Sequence, residues 1–118
     1  MADEVWIWVV MKFQFEGLHY WKDAPPQVHY LAFKHRHIFH VEARMTVRHN
    51  DREVEFIQAK NHLLGQVNIV YDWGPKSCEG IAEAIIALMQ AKWGRDRDYS
   101  VEVLEDGENG AIVTRVAV

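Results

Sequence analysis

Alternating apolar and polar residues predict two long β-strands in the first half of the chain. In the first segment, Phe13 and Phe15 occupy odd positions with polar residues between them, and in the second segment the apolar residues also take the odd positions. Successive side chains of a strand point to opposite faces of a sheet, so each segment has one apolar face. We expect the strands at residues 5–19 and 36–48, joined by a loop that contains Ala-Pro-Pro.

The middle of the chain predicts a short strand followed by a helix. Residues 53–59 follow a turn and are interpreted as a short third strand. Residues 61–76 contain scattered Gly, Asn and Asp residues and one Pro, and they give no clear pattern. Helix signals then become distinct, because Ser77 is a good N-cap and Gly94 follows the last turn. The apolar stripe of this helix, which we expect to be core, consists of Ile81, Ile85, Leu88, Met89 and Trp93.

A β-hairpin is predicted to close the chain. Residues 99–104 and 111–118 are interpreted as its strands, and a turn that contains two glycines joins them. Glu105 continues the inward-facing phase of the first of these strands, so a carboxylate ends an apolar face. The order of strands, helix and strands predicts an α+β fold, with the helix packed on one face of an antiparallel sheet. We expect a single domain over residues 1–118.

Three histidines lie in phase with the apolar faces of the two long strands. His19 closes the first strand, and His35 and His37 open the second. If these strands pair antiparallel, the three imidazoles converge at one rim of the sheet. Three protein ligands with an open fourth position are typical of a catalytic zinc site. The spacing therefore predicts a zinc site, and the alternative is that these are simply three of the seven histidines, with no metal.

Composition narrows the class of protein. The formal charge of −4 gives no basic surface for nucleic acid. No apolar run is long enough for a membrane span, and the acidic start differs from a secretory signal. Cys78 is the single cysteine, which excludes an internal disulfide and agrees with a reducing compartment. We expect a cytoplasmic protein that binds neither nucleic acid nor membrane.

Four segments resemble motifs of the 6-pyruvoyl- and 6-carboxy-tetrahydropterin synthase family, in the same order. Phe13-Gln-Phe-Glu-Gly-Leu-His19 resembles Phe-x-Phe-x-Ala-Ala-His. The segment from His35 to Val47 resembles His-Gly-His-Asn-Tyr-x-Val-x-Val-x-Val. Pro75-Lys-Ser-Cys-Glu-Gly-Ile-Ala82 is similar to the helix start Pro-Thr-Ser-Glu-Asn-Leu-Ala, displaced by one residue before the glutamate. Val101-Glu-Val-Leu-Glu-Asp106 is similar to Val-x-Val-x-Glu-Thr.

The resemblance implies the tunnelling fold, a four-stranded antiparallel sheet with helices on one side that assembles into an oligomeric barrel, with a hexamer as the expected homo-oligomer. It implies that His19, His35 and His37 bind zinc. It also implies that Glu105 binds the 2-amino pyrimidinone edge of a pterin, to which a carboxylate can offer two parallel hydrogen-bond acceptors, and that Glu79 binds substrate. The implied activity is a zinc-dependent lyase acting on 7,8-dihydroneopterin triphosphate or a related pterin. Such an enzyme serves pterin or 7-deazapurine synthesis, including queuosine biosynthesis.

The chain departs from the family's pattern at the catalytic position. The family's cysteine lies four residues before the first histidine of His-x-His, where this chain has Leu31, and Cys78 cannot be carried over to that role. The family's Leu-Asp-His segment, which assists the base, has no clear counterpart. Residues 60–79 are expected to be too short for both that segment and the family's first helix. His62 and Asp72 are the nearby candidates for acid–base catalysis.

Three functions stay open on the sequence. The first is the zinc-dependent enzyme. The second is a protein that binds a pterin or a purine nucleotide on the same scaffold, with altered or lost chemistry. The third is a structural or interaction protein whose five tryptophans serve an assembly surface. We expect a homo-oligomer under all three, because a small sheet leaves open edges and the first strand is apolar on both faces at its start.

Overall fold

The structure is a computed structural model that describes residues 4–118. Four strands form one antiparallel sheet in the order β1-β2-β3-β4, and two α-helices connect β2 to β3. A short 3₁₀ segment, Pro26–Ala32, lies between β1 and β2. The elements are β1 (Ile7–His19), β2 (His35–Val47), α1 (Phe56–Val70), α2 (Cys78–Trp93), β3 (Tyr99–Glu105) and β4 (Asn109–Arg115). The predicted α+β class is confirmed.

The core lies between the sheet and the two helices. The predicted alternation of β1 and β2 is confirmed, because their odd-numbered residues are buried from Met11 to Phe15 and from Phe39 to Met45. Helix α1 packs against β1, and α2 packs against β3 and β4. Both helices therefore cover the same face of the sheet. The largest fully buried side chains include Tyr99, Phe39, Met11, Met45, Leu63, Ile81, Ile85, Ile86 and Met89.

The prediction of a third strand at residues 53–59 is wrong, because α1 begins there. The Glu55 carboxylate accepts hydrogen bonds from the backbone N–H groups of Ile57 and Gln58, each at 3.0 Å, and so caps the first turn. Helix α1 then buries Ala59, Leu63 and Val67, whose spacing of four places them on one face. The expectation that residues 60–79 are too short for both a first helix and the Leu-Asp-His segment concerned the two together; α1 begins before this stretch, at Phe56, and ends within it, at Val70.

Helix α2 and the closing hairpin agree with the sequence. The Ser77 hydroxyl accepts a hydrogen bond from the backbone N–H of Gly80 at 3.1 Å, and Gly94 ends the helix with φ 96°. Asp106 and Gly107, with φ of 53° and 73°, turn the chain from β3 into β4. Strand β3 ends at Glu105, which therefore follows the buried apolar residues of that face, as predicted.

The sheet has one face without helices, and its edge strands are β1 and β4; near its end, at Leu18, β1 forms backbone hydrogen bonds with Tyr71 and Trp73. At the start of β1 and just before it, Trp8 and Trp6 are 37% and 67% exposed. Among residues 4–118, neither helix combines the length and the apolar character that a membrane span needs.

Candidate metal centre

The pairing of β1 with β2 brings the three predicted histidines together. His19 lies opposite His35, and Gly17 lies opposite His37. The ring centroids of His19 and His35 are 4.5 Å apart, those of His35 and His37 are 5.0 Å apart, and those of His19 and His37 are 5.3 Å apart. All three side chains occupy odd positions, on the face covered by the helices. The convergence that strand parity predicts is therefore present.

A carboxylate from β3 joins the three imidazoles. Strand pairing sets Glu105 opposite Phe39, two residues from His37. Its Oε2 lies 2.9 Å from Nε2 of His19, and its Oε1 lies 3.6 Å from Nε2 of His37. The four residues His19, His35, His37 and Glu105, called the metal group below, each offer one ligand atom, and these atoms lie within 4.8 Å of one another. The metal group can hold a metal ion.

Each histidine of the metal group binds an acceptor outside the group through Nδ1. The acceptors are the Lys76 carbonyl for His19 at 2.8 Å, the Phe33 carbonyl for His35 at 2.8 Å, and the Asp106 carboxylate for His37 at 2.7 Å. A neutral imidazole carries one N–H, so these bonds hold the proton on Nδ1. The Nε2 lone pairs then face the interior of the group. Metal-binding histidines typically show this arrangement.

Two ring nitrogens inside the metal group have no hydrogen-bond partner in the part of the chain that the structure describes. They are the buried Nε2 atoms of His19 and His37. Glu105 is close to both, but its carboxylate contributes only lone pairs, so its 2.9 Å contact with His19 is repulsive when that imidazole is neutral. An ion with bonds of about 2.0–2.1 Å in tetrahedral geometry separates its ligand atoms by about 3.3 Å. The donor set therefore fits a metal ion after small side-chain rotations.

The environment favours the protonation states that metal binding needs. Burial lowers the pKa of His19 below its ordinary value, although the Lys76 carbonyl and the Glu105 carboxylate oppose that shift. His19 is therefore neutral near pH 7. The hydrogen bond from His37 and that from the Ile38 backbone N–H lower the pKa of the Asp106 carboxyl, which is ionised at the same pH.

A cavity of about 430 Å³ adjoins the metal group and is lined in part by His19, His35 and Glu105. This volume lies within the range of about 300–1,000 Å³ that small-molecule sites occupy. The start of α2 supplies Glu79 to the wall, so this predicted substrate-binding residue lies beside the metal group. Trp21, which is 51% exposed, adds an aromatic ring. The structure thus joins a metal group to a space large enough for a heterocyclic ligand.

Leu31 and Cys78 both line this cavity. Leu31 stands where the resembled family has its cysteine, and its side chain cannot accept or donate a proton. Cys78, from the start of α2, is buried, and burial together with the nearby Glu105 raises the pKa of its thiol to about 12. The thiol is therefore protonated near pH 7. No signal in the sequence would place Cys78 at the cavity, because a position at a helix start does not fix which part of the sheet it faces.

The structure does not bring His62 to the metal group. Its ring packs against that of Trp93, with centroids 5.7 Å apart. Trp93 is the last residue of the 16-residue helix α2, whose first residue, Cys78, lines the cavity. A helix of that length extends about 24 Å, so His62 lies beside the far end of α2.

Asp72 lies closer to the metal group but binds other partners. It forms an isolated bridge with Leu18, the neighbour of His19. Its carboxylate accepts hydrogen bonds from Lys34 Nζ at 2.6 Å and from the Gly74 backbone N–H at 2.9 Å. Asp72 is not part of the cavity wall. Its side chain therefore supports the loop around the site rather than facing a ligand in the cavity.

The chemistry available here is that of a cation held by imidazole nitrogens and a carboxylate oxygen, next to a cavity. Such a cation acts as a Lewis acid toward an oxygen of a bound molecule. Glu79, at the cavity wall, can accept hydrogen bonds from that molecule. Comparisons of the chain with models of protein families and with curated proteins found no match.

Proposed function

We propose that this protein is a zinc-dependent enzyme of the 6-carboxy- or 6-pyruvoyl-tetrahydropterin synthase type, acting on 7,8-dihydroneopterin triphosphate or a related pterin. One observation carries the proposal: three histidines, each held through Nδ1 by an outside acceptor, direct their Nε2 atoms toward one point beside a cavity of about 430 Å³. Orienting bonds of this kind to all three imidazoles are characteristic of metal centres. The motif resemblance then selects the substrate class.

Zinc is the metal we propose, because imidazole nitrogen and carboxylate oxygen are among its usual ligands. When bound, zinc supplies Lewis-acid polarisation of the hydroxyl groups on a pterin side chain. His19, His35 and His37 hold it as neutral imidazoles. Glu105 lies within the metal group, and its carboxylate is the one member that can also accept two hydrogen bonds from a 2-amino pyrimidinone edge.

The remaining residues of the cavity bind and orient the substrate. Trp21 offers a face on which a planar ring can stack, and Glu79 offers a second carboxylate. Leu31 cannot move a proton, so a base must come from elsewhere. The candidates are Glu79, a group from a neighbouring subunit, or the sequence-predicted Asp72 after a rearrangement of its loop; His62 lies within α1, beside the far end of α2, and is too distant.

Self-association belongs to the proposal. The edge strands β1 and β4, together with exposed Trp6 and Trp8, support a barrel closed by further copies of the chain, as in a tunnelling-fold hexamer. Light scattering of the purified protein tests this: a single species of about six chains is expected, and a monomer at micromolar concentration would contradict it. The cytoplasm is the compartment we propose, in keeping with a single cysteine that cannot form an internal disulfide.

The first experiment measures zinc and turnover together. We expect about one zinc per chain in the wild-type protein, none in His35→Ala, and unchanged zinc in His40→Ala. His40 is the matched control, because it lies on β2 but occupies an even position, on the face away from the helices. Conversion of 7,8-dihydroneopterin triphosphate under reducing conditions is then assayed. A wild-type protein that takes up no zinc contradicts the proposal.

A second candidate function is favoured by Leu31. A cavity that keeps a metal group but has leucine in place of the family's cysteine suits a protein that binds a pterin or a purine nucleotide without converting it. Zinc uptake, pterin binding in a thermal-shift assay and no turnover would support this function over the enzyme. Loss of that binding in Glu105→Ala would place the ligand at the metal group.

A further inference from the structure

Asp106 contacts the metal group through its side chain, and no motif assigned it a role there. It lies directly after Glu105, in the turn between β3 and β4, and is not a member of the group. Its Oδ2 accepts a hydrogen bond from His37 Nδ1 at 2.7 Å, and its Oδ1 accepts one from the Ile38 backbone N–H at 3.1 Å. The two carboxylate oxygens therefore bind two consecutive residues of β2, the side chain of His37 and the backbone of Ile38.

The backbone holds Asp106 in place as firmly as the side chain does. Its own N–H donates to the Ile38 carbonyl at 2.8 Å. Its φ of 53° lies in the left-handed region, which Asp and Asn tolerate better than most residues, and Gly107 follows with φ 73°. The carboxylate is half exposed, at 50%. Its position is nevertheless set by three hydrogen bonds to neighbouring residues of one strand.

The acceptor at His37 differs in charge from those at the other two histidines. His19 and His35 donate to neutral backbone carbonyls, whereas His37 donates to a carboxylate. A carboxylate acceptor makes the imidazole a stronger electron-pair donor to a metal ion than a carbonyl acceptor does. Loss of such an outer partner typically weakens metal binding by about 10–100-fold. In the resembled motif a threonine follows the glutamate, whereas this chain has the charged residue Asp106 at that position.

We infer that Asp106 is the positioning residue of the metal centre, because its carboxylate holds the His37 proton on Nδ1 and directs the Nε2 lone pair toward the ion. The inference rests on the proposed metal centre. It adds a residue that neither the histidine spacing nor the motif resemblance supplies. It also assigns to the β3–β4 turn a part in setting metal affinity, in addition to its part in the fold.

The competing explanation is that Asp106 only stabilises the turn. Two substitutions separate the explanations: Asp106→Asn keeps the shape and removes the charge, and Asp106→Ala removes the acceptor. Glu108→Gln is the matched control, since it removes one negative charge from the same turn and, within residues 4–118, its side chain makes no hydrogen bond or ion pair. The zinc Kd is measured by chelator competition, and the Tm is measured on metal-free protein.

We expect the zinc Kd to rise by about 10–100-fold in Asp106→Ala, to rise by less in Asp106→Asn, whose amide oxygen can still accept from His37, and to stay at the wild-type value in Glu108→Gln. A lower metal-free Tm with unchanged zinc Kd in Asp106→Ala would assign Asp106 to the turn alone and overturn the inference. Wild-type zinc affinity and wild-type Tm together would overturn it as well.

A measurement without metal keeps the inference testable if zinc binding fails. Imidazole ¹⁵N shifts of the metal-free protein, in mildly alkaline buffer, report which nitrogen of each histidine carries the proton. We expect His37 to hold it on Nδ1 in the wild type and to move toward the Nε2–H form in Asp106→Ala, with His19 and His35 unchanged. An unchanged His37 overturns the inference. A wild-type protein with the expected tautomers but no zinc affinity overturns the proposed function instead.

Discussion

The two ends of the sheet both contain clustered polar side chains, but the clusters differ in how their charges are balanced. At the end opposite the metal group, the buried Arg97 donates to Glu53 at 3.0 Å and to the Thr46 carbonyl at 3.1 Å, and Arg48 also pairs with Glu53 at 2.8 Å. We call Arg48, Glu53 and Arg97 the arginine network. At the other end, the metal group brings three imidazoles and a carboxylate together without a cation.

The difference separates a structural cluster from a ligand site. In the arginine network each charge has a partner of opposite sign, and the buried atom left without a partner among residues 4–118 is the Arg97 Nε–H, a donor rather than a lone pair. In the metal group the buried Nε2 atoms of His19 and His37 have no donor within residues 4–118, so an ion from solution could complete it. The arginine network is therefore expected to govern folding, and the metal group is expected to govern binding.

The largest expected effect tests the arginine network. Arg97→Ala removes one partner of a buried ion pair and leaves Glu53 with less compensation, which typically lowers the free energy of unfolding by about 3–5 kcal/mol. Urea unfolding of metal-free protein measures this loss. The zinc Kd of the folded variant should equal that of the wild type, and a weakened zinc affinity would mean that the two ends are not independent.

The next effect tests the metal group by adding zinc. Ligand at about 100 times its Kd stabilises a folded protein by about 2.7 kcal/mol, so zinc should raise the Tm of the wild type and of Arg97→Ala alike. His35→Ala should lose this increase, while His40→Ala should keep it. Equal responses in the two histidine variants would show that zinc binds somewhere other than the metal group.

A smaller effect, opposite in sign to that of Arg97→Ala, is expected for Glu105→Gln in the metal-free protein. The glutamine amide can donate to the His19 Nε2 lone pair, which the carboxylate cannot do, and one such hydrogen bond contributes about 0.5–1.5 kcal/mol. The free energy of unfolding should therefore rise without metal, while zinc affinity falls. If this substitution destabilised the metal-free protein, the Glu105 carboxylate and the His19 Nε2 lone pair would not repel each other as described.

The smallest effect concerns pH. The hydrogen bond from the Arg48 backbone N–H, together with Arg97, lowers the pKa of Glu53 in the folded protein. A carboxyl with a lowered folded-state pKa contributes stability above its unfolded-state pKa, near 4.3, and loses that stability as pH falls through the folded-state value. Metal-free wild type should therefore lose stability below about pH 4.3, and Glu53→Gln should lose less over the same interval. If the free energy of unfolding fell equally with pH in the wild type and in Glu53→Gln, the loss could not be assigned to Glu53.

Much of the fold followed from local patterns in the sequence. Period-two alternation predicted β1 and β2, the Ser77 cap and Gly94 predicted α2, and the glycine-containing turn predicted the hairpin. Helix α1 was missed altogether, because Glu55 is not among the usual capping residues and Gly65 interrupts the pattern. Its buried face, Ala59, Leu63 and Val67, shows the helical spacing only once the helix is extended past residue 60.

The site residues that lie on predicted strands could be predicted from the sequence, and those that lie on loops, turns or helix starts could not. His19, His35 and His37 could be placed together because parity puts them on one face, on the condition that the two strands pair antiparallel. Glu105 was predicted to end an apolar face and to bind substrate, and its place among the metal-binding residues appears only in the structure. Cys78, Trp21 and Asp106 could not be placed, since each reaches the site from a loop, a turn or a helix start. His62 and Asp72 were chosen by residue type, and residue type carries no information on direction or distance.

By itself, the sequence determined which side chains share the apolar face and therefore which three imidazoles meet at one rim. Only the tertiary structure decided what those imidazoles can do. The acceptors that hold the protons on Nδ1 of His19 and His37 lie 57 and 69 positions away along the chain. Side-chain alternation is a local property of a strand, whereas the direction of a lone pair depends on hydrogen bonds that form after distant segments pack together.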